Sequence, residues 1–374
     1  MGKKWRLLDL GDTDSLDTQV IYEAVARARA KDLIPDTIIF CSPKSPIVCI
    51  GYHQELEKEV NLDYCKENNI PIVRRILGGG AVYLDVNQLF YQIIVSEKNK
   101  DIPLSINKLF STLLKAPTQT YNDLGIPAIF KPINDIEVRG KKISGNGAGK
   151  FENVSILTGN LILDFNFDEM VKILKVPNEK FRDKLAQSLR ERLTTIKNEI
   201  NTIPTKKKLK ELLKTNFEKT LNINLELSKI IDIEQQNMGD LRAKYTSEKW
   251  LYGPKLRHTS LLENFDKFAK IERTVKISGS VYLGEAVYKS PGGLIRVTLE
   301  IENDIIKDVL ISGDFWLFPA TKLSELEKEL VGVEIRKDKL KEVINAFFEK
   351  NKIQSPGTTV EDFVKTILMV KENI

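Results

Sequence analysis

The chain has 374 residues, 57 Lys+Arg against 52 Asp+Glu and a net charge of +5, with 42% hydrophobic and 29% charged residues. That length suggests two domains, the balance excludes wholesale disorder, and the small, interleaved basic excess offers no concentrated face for nucleic acid. Two histidines, His53 and His258, cannot build a three-imidazole site in one chain, and three cysteines without C-x-x-C spacing give no disulfide framework.

The start, MGKKWRLLDLGDTDSLD, meets Asp9 and Asp12 before any long apolar run and does not read as a signal peptide. Apolar stretches such as 89–95 are strand-sized, far short of the roughly 20 residues that span a bilayer. A soluble, cytoplasmic protein without membrane or nucleic-acid partners is expected, with Cys41, Cys49 and Cys65 as buried small hydrophobes in a reducing compartment. Residues 18–30 carry Val20, Ile21, Ala24, Val25 and Ala28 at helical spacing. Short β-rich pieces follow: DTIIFCS, PIVCIGY, IPIVRRI, AVYLDV, LFYQIIV, NDIEVRG, KKISGN and SILTGNLILDF, with a helix expected over 55–68. These strands lie too close together for a βαβ repeat, so the expected class is α+β, a mixed sheet flanked by helices.

From 168 to 220 the pattern turns helical: FDEMVKIL, EKFRDKLAQSLRERL and, behind Pro204-Thr205, TKKKLKELLKTNFEKTL. Lys206, Lys207 and Lys208 precede Leu209, Leu212 and Leu213 at helical spacing, which reads as an amphipathic helix with a solvated face. A linker is expected near 232–250. Beyond it, strands at IERTVKISGSV, GLIRVTLEIEN and IIKDVLISGDF and helices at SELEKELVG, KDKLKEVINAFFEKN and VEDFVKTILMV predict a second, smaller α+β domain. The expected division is 1–235 and 236–374.

Glycine concentrates in two segments. In the first, Arg74-Arg75 precedes Gly78-Gly79-Gly80-Ala81-Val82-Tyr83 and Asp85. Three residues without Cβ let main-chain N–H groups approach a ligand, and the arginines supply donors for phosphate or carboxylate. A tight turn between strands is the alternative. In the second, NDIEV and KKISGN read as a hairpin turning at Arg139-Gly140, with Lys142 and Ser144 on the face opposite Ile143. Gly149-Lys150 is followed by Phe151, and Ser144 stands where a Walker A loop needs its first glycine, so no P-loop is present.

Together, RR-x-x-GGG-A-V-Y-x-D, N-D-I and K-x-S-G-N resemble the lipoate-protein ligase family of the biotin/lipoate ligase superfamily. PIVCIGYHQ, GNLILDFNFDEMVKIL and ERLTTIKNEI follow the family order, and the region from WLYGP onward resembles the accessory domain of the long ligases. The resemblance implies a two-step reaction: lipoate and ATP give lipoyl-AMP, and the ε-amine of a lysine on a lipoyl carrier domain then attacks it. The implied carriers are 2-oxoacid dehydrogenase E2 subunits, a glycine cleavage H protein or similar. Lys142 matches the family's catalytic lysine, a fixed cation beside carboxylate and α-phosphate. By the same resemblance Arg75 and Arg74 bind the acyl-phosphate, Gly78, Gly79 and Gly80 approach the adenylate, and Asn134 and Asp135 serve nucleotide and Mg²⁺, with Asp135 as metal ligand. A turn-capping role is the alternative for Asp135. The motifs also place Ala81, Tyr83, Asp85, Ser144 and Gly145 in the binding set.

The sequence departs from the family pattern at Leu77, Leu84, Gln88 and Gly147-Ala148. Two other readings stay open: an octanoyltransferase of the same superfamily, which needs an activated cysteine, and a non-catalytic binder of lipoyl domains. The Gly-Arg-Gly-Arg-type loop of biotin ligases is absent.

Overall fold

The computed structural model describes residues 2–176, 179–258, 260–263, 274–278 and 281–372. Packing divides the chain into two units. The first comprises Met1–Ile50, Glu59–Arg75 and Ala81–Ser247, and the second Gly51–Lys58, Ile76–Gly80 and Glu248–Ile374.

The first unit is built on a six-stranded mixed sheet. Its strands are β1 (Lys3–Thr13), β2 (Thr37–Pro43), β6 (Gln88–Ser96), β10 (Asn146–Phe151), β11 (Val154–Ile162) and β12 (Ile223–Ser228), in the order β10-β11-β6-β2-β1-β12. β1 runs parallel to β2 and β12, while β2, β6, β11 and β10 pair antiparallel. All nine residues of β6 are buried, because its alternating side chains meet helices on both faces. Gln92 donates to the Thr18 carbonyl of helix α1 (Asp17–Ala30), and its neighbour Tyr91 meets Phe217 of a helix at 206–221 edge to face at 6.0 Å. Two smaller sheets complete this unit: β4-β3-β5 (β3 Ile47–Ile50, β4 Ile72–Arg74, β5 Val82–Leu84) and β7-β8-β9 (β7 Ile129–Lys131, β8 Asp135–Val138, β9 Lys141–Ser144).

The α+β class with flanking helices is as expected, and so are the 18–30 helix and most strands. Three strands of the main sheet read differently in sequence. β1 carries charges at both ends, β10 is the glycine-rich NGAGKF, and β12 returns from more than two hundred residues away to pair with β1. Local pattern carries little trace of such long-range pairing. The helix expected over 55–68 is broken into α2 (Leu56–Glu59) and α3 (Leu62–Glu67). Val60 forms a bridge with Leu174, and Asn61 caps α3 by accepting from Tyr64 N.

The helical region after the sheet holds α6 (Phe167–Ile173), α7 (Glu179–Arg192), α8 (Ile196–Ile200) and α9 (Lys206–Leu221), numbered after α4 (Ile106–Leu113) and α5 (Lys115–Asp123). Thr205 caps α9, Leu209 and Leu213 are fully buried, and Lys206 and Lys210 pair with Asp12 and Asp9. The expected linker is instead helix α10 (Asp232–Tyr245), which packs on α1. Its Glu234 takes two hydrogen bonds from Arg6, at 2.9 and 2.6 Å, and both side chains are buried. The first unit therefore runs on to Ser247, and a boundary at 235/236 would cut this helix.

The second unit follows short helices α11 (Glu248–Leu251) and α12 (Gly253–Arg257). Its antiparallel sheet takes β13 (Thr274–Ser278), β14 (Val281–Ser290), β15 (Gly293–Glu302) and β16 (Ile305–Gly313) in chain order. β14 was not expected, because Gly284, Glu285 and Lys289 dilute its apolar pattern; the first residues of the expected IERTVKISGSV strand, 271–273, lie outside the described residues. Ile295, Val297, Leu299 and Ile301, alternate residues of β15, join a core with helices α13 (Leu323–Leu330), α14 (Lys337–Lys350) and α15 (Val360–Glu372). Among the described residues no helix is long and apolar enough to cross a membrane.

Candidate active site

The β8–β9 hairpin turns at Arg139 (φ 49°) and Gly140 (φ 81°), positive at both central positions, as a tight two-residue connection requires. The expected alternation along β9 is interrupted. Ile136 pairs with Ser144 but Glu137 with Lys142, so Ile143 is a bulge, and both Ile143 and Ser144 are fully buried. The bulge separates Lys142 from Ser144: the ammonium stays about one-third exposed and pairs with Asp135 at 2.6 Å, while the hydroxyl turns into the core.

Two residues fix the lysine's strand from outside the hairpin. Thr194 N donates to the Lys142 carbonyl at 2.9 Å, and the fully buried Tyr121 donates to the Ile143 carbonyl at 2.8 Å. Thr194 belongs to the ERLTTIKNEI stretch, so that motif serves at least to hold the hairpin. The neighbouring lysines are engaged elsewhere: Lys141 donates to the Arg190 carbonyl of α7, and Lys150 pairs with Glu97.

Behind Lys142 lies a connected polar network. Ser144 Oγ donates to the Asn160 carbonyl at 2.7 Å, and Asn160 Oδ1 accepts from Gly145 N at 2.8 Å. The Asn160 amide donates to Gln88 Oε1 at 2.9 Å, and Gln88 donates to the Tyr83 carbonyl at 3.1 Å. Asn134 donates to the Asn146 carbonyl at 2.6 Å, and Asn146 donates back to the Asn134 carbonyl at 3.0 Å. Buried polar groups need such partners, and a satisfied network holds its members rigidly.

The structure thus gathers Asn134, Asp135, Lys142, Ser144 and Gly145 on one hairpin and ties Tyr83 to them through Gln88 and Asn160. Tyr83 is buried on β5, and desolvation pushes its phenol up to about 12. Asp85 accepts from Asn87 N at 2.9 Å and so closes the turn into β6; burial raises its carboxyl above the ordinary value. Arg74 is buried on β4, and Arg75 donates to the Cys49 carbonyl at 3.1 Å. Ala81 begins the segment leading into β5. The three glycines pack with the second unit. A Cβ on Gly78 would come within 2.9 Å of the Phe315 carbonyl and 3.1 Å of the Trp316 ring, and Gly79 has φ 91°. Leu77 and Leu84, two departures from the family pattern, are buried hydrophobes. Motif reading left Tyr91, Tyr121, Asn160 and Thr194 without a role; Asn160 and Thr194 lie in the GNLILDF and ERLTTIKNEI stretches, whereas Tyr91 and Tyr121 had only their polar type as a signal.

All three cysteines are buried free thiols. Desolvation pushes Cys41 up to about 12 and Cys65 up to about 11, and it raises Cys49 even beside Arg75. Among the described residues no three His, Cys, Asp or Glu side chains gather as a metal cluster.

The family model of the lipoyl protein ligase A/B catalytic domain matches residues 15–218. The chain belongs to this family. A model of the bacterial lipoate protein ligase C-terminus matches residues 286–367 of this lipoyl ligase family member. It is 27% identical to the lipoate-protein ligase LplJ of Bacillus subtilis, over 95% of this chain and 98% of that protein. It is also 27% identical to the octanoyltransferase LipM of Halalkalibacterium halodurans, over 66% of this chain and 98% of that one. A solved bi-partite lipoate protein ligase of Thermoplasma acidophilum, from a study that includes its E2 lipoyl domain, superimposes with a TM-score of 0.60 at 29% identity, covering 67% and 97% of the two chains. A lipoate-protein ligase A bound with ATP superimposes with a TM-score of 0.54 at 26% identity, covering 68% and 99%.

Proposed function

We propose that this protein is an ATP-dependent lipoate-protein ligase that acts through lipoyl-AMP on lipoyl carrier domains. The observation that carries this reading is coverage. The Bacillus subtilis ligase matches 95% of this chain and a ligase C-terminus model matches 286–367, whereas the octanoyltransferase is accounted for by 66% of it. The cysteines favour the same choice. Acyl transfer through a thioester needs an accessible thiolate, and all three thiols are buried, with desolvation raising the pKa of each.

In the first step the lipoate carboxylate attacks the α-phosphorus of ATP and pyrophosphate leaves. In the second the carrier lysine's ε-amine attacks the acyl carbon and AMP leaves. Both transition states concentrate negative charge on oxygens between acyl group and phosphate, and Lys142 would be the hairpin cation that stabilises it. Arg74, Arg75 and the Gly78–Gly80 loop would bind the acyl-phosphate. Mg²⁺ is commonly held by one or two carboxylates together with substrate phosphates, so Asp135 would be its protein ligand without a three-ligand cluster. Asn134, Ser144, Gly145, Tyr83 and Asp85 would shape the nucleotide side through the bonds described above.

Lipoate-dependent exchange of labelled pyrophosphate into ATP tests the first step, and mass spectrometry of a lipoyl domain incubated with protein, ATP, Mg²⁺ and lipoate tests the second. Octanoyl transfer from a carrier thioester without pyrophosphate exchange would replace this reading with the transferase. Neither activity would leave a non-catalytic binder.

A further inference from the structure

The Asn134–Asn146 clasp has an outer support that the proposed chemistry does not use. Tyr91 on β6 and Asn146 on β10 lie two strands apart: Asn146 is opposite Gly159 of β11, and Gly159 is opposite Tyr91. Strands spaced about 4.8 Å apart put these backbones nearly 10 Å from each other. Only a long side chain bridges that span, and only if the residue between leaves the space above it empty. Gly159 does so, since a Cβ there would come within 2.2 Å of Asn146 Oδ1 and 2.5 Å of the Tyr91 ring.

The phenol accordingly reaches over Gly159 and donates to Asn146 Oδ1 at 2.5 Å, with Ser144 Oγ 3.1 Å away. An amide whose oxygen is held in this way has the orientation of its NH₂ fixed. That group donates to the Asn134 carbonyl at 3.0 Å and to the Ser144 carbonyl at 3.5 Å, and Asn134 is the residue before Asp135, the ion-pair partner of Lys142. Tyr91 is fully buried, so its ring and hydroxyl are out of contact with solvent.

We propose that Tyr91, reaching across Gly159 to Asn146, is a positioning residue that fixes the Asn134–Asp135 segment, and through it Lys142, for the acyl-transfer chemistry. The proposal rests on the ligase reading only for the choice of assay. Tyr91→Phe removes one hydroxyl and keeps the ring. In pyrophosphate exchange it should lower kcat about tenfold and leave KM for ATP and lipoate within about twofold, the pattern of a lost geometric constraint rather than lost binding. Gly159→Ala, which displaces the ring, should give the same split. Tyr91→Phe added to Asn134→Ala should cost nothing further, because both break one chain of contacts. Tyr245→Phe is the control: it is equally buried in the same unit, its hydroxyl bonds to Glu23, and its kcat should match wild type.

The proposal is overturned if Tyr91→Phe lowers kcat no more than Tyr245→Phe, or if the Tyr91 and Asn134 losses multiply. A wild-type protein without pyrophosphate exchange would instead sink the ligase reading. The same variants are then compared in octanoyl transfer and in amide hydrogen exchange over residues 134–145. There Tyr91→Phe should raise exchange and Tyr245→Phe should not; equal exchange in both would overturn the positioning role.

Discussion

Lys142 stands among three lysines in the same short segment, and their partners separate them. Lys141 is bonded to the Arg190 carbonyl and Lys150 is paired with Glu97, whereas Lys142 pairs with Asp135 of its own hairpin. Lys142→Ala should abolish both half-reactions, a loss of on the order of 3 kcal/mol or more in the transition state, roughly a hundredfold in rate. Stability should barely change, because both members of the pair are about one-third exposed and such pairs contribute about 0–1 kcal/mol. Exchange rates and thermal melts of the same preparation check both halves of that expectation. His258 makes a different residue-scale prediction. Its Nδ1 lies 2.9 Å from Asp308 and its Nε2 3.3 Å from Glu327. Burial works to lower its pKa, but the pull of Glu327 and Asp308 prevails and the net shift is upward. A group with a raised folded-state pKa stabilises fully below its unfolded value, about pH 6.5, and loses that contribution as pH rises through the folded value. Stability of the protein against melting should therefore fall as pH rises above about 6.5, and His258→Gln should flatten this dependence. An unchanged slope in the variant would remove His258 as its source.

At the scale of elements, helix α10 shows how one residue can tie a late segment to an early strand. Glu234 and Arg6 form a buried, doubly hydrogen-bonded pair between α10 and β1. Removing one partner of such a pair leaves a desolvated charge and costs about 3–5 kcal/mol. Glu234→Gln should accordingly shift the urea midpoint strongly while pyrophosphate exchange at low temperature stays near wild type; an unmoved midpoint would show that water reaches Arg6. The hairpin makes the complementary point. Its strands and turn were legible from NDIEV, Arg139-Gly140 and KKISGN, but the Ile143 bulge was not. A bulge is chosen by what packs on either side, here the Tyr121 hydroxyl on Ile143 and the Asn160 carbonyl on Ser144, and both partners come from other elements.

For the whole molecule, the important feature is that the second unit is not only the C-terminal stretch. Gly51–Lys58 and Ile76–Gly80 pack within it, His53 stacks on Phe315 with ring centroids 5.1 Å apart, and Gly78 lies against Phe315 and Trp316. A chain ending at Ser247 strips those partners from the glycine loop. Such a chain should lose most lipoate-dependent pyrophosphate exchange yet still transfer lipoate from supplied lipoyl-AMP, because activation needs an ordered, dry loop and transfer needs access for a bulky acceptor. Full two-step activity in that chain would show the second unit to be dispensable. A chain ending at Ile231 should be less soluble than one ending at Ser247, since it also discards the Glu234 contact to Arg6.

The sequence by itself determined the α+β class, most strands and helices, the family, and the order of the residues proposed to carry the chemistry. These depend on local periodicity, on glycine and proline punctuation, and on short motifs whose spacing survives in the linear chain. Tertiary structure alone decided the rest. Pairing β12 with β1, sending the glycine loop into the second unit and stretching Tyr91 across Gly159 to Asn146 each join residues far apart in sequence. No local pattern encodes such contacts, because the free energy that selects them comes from partners that meet only after the chain has folded.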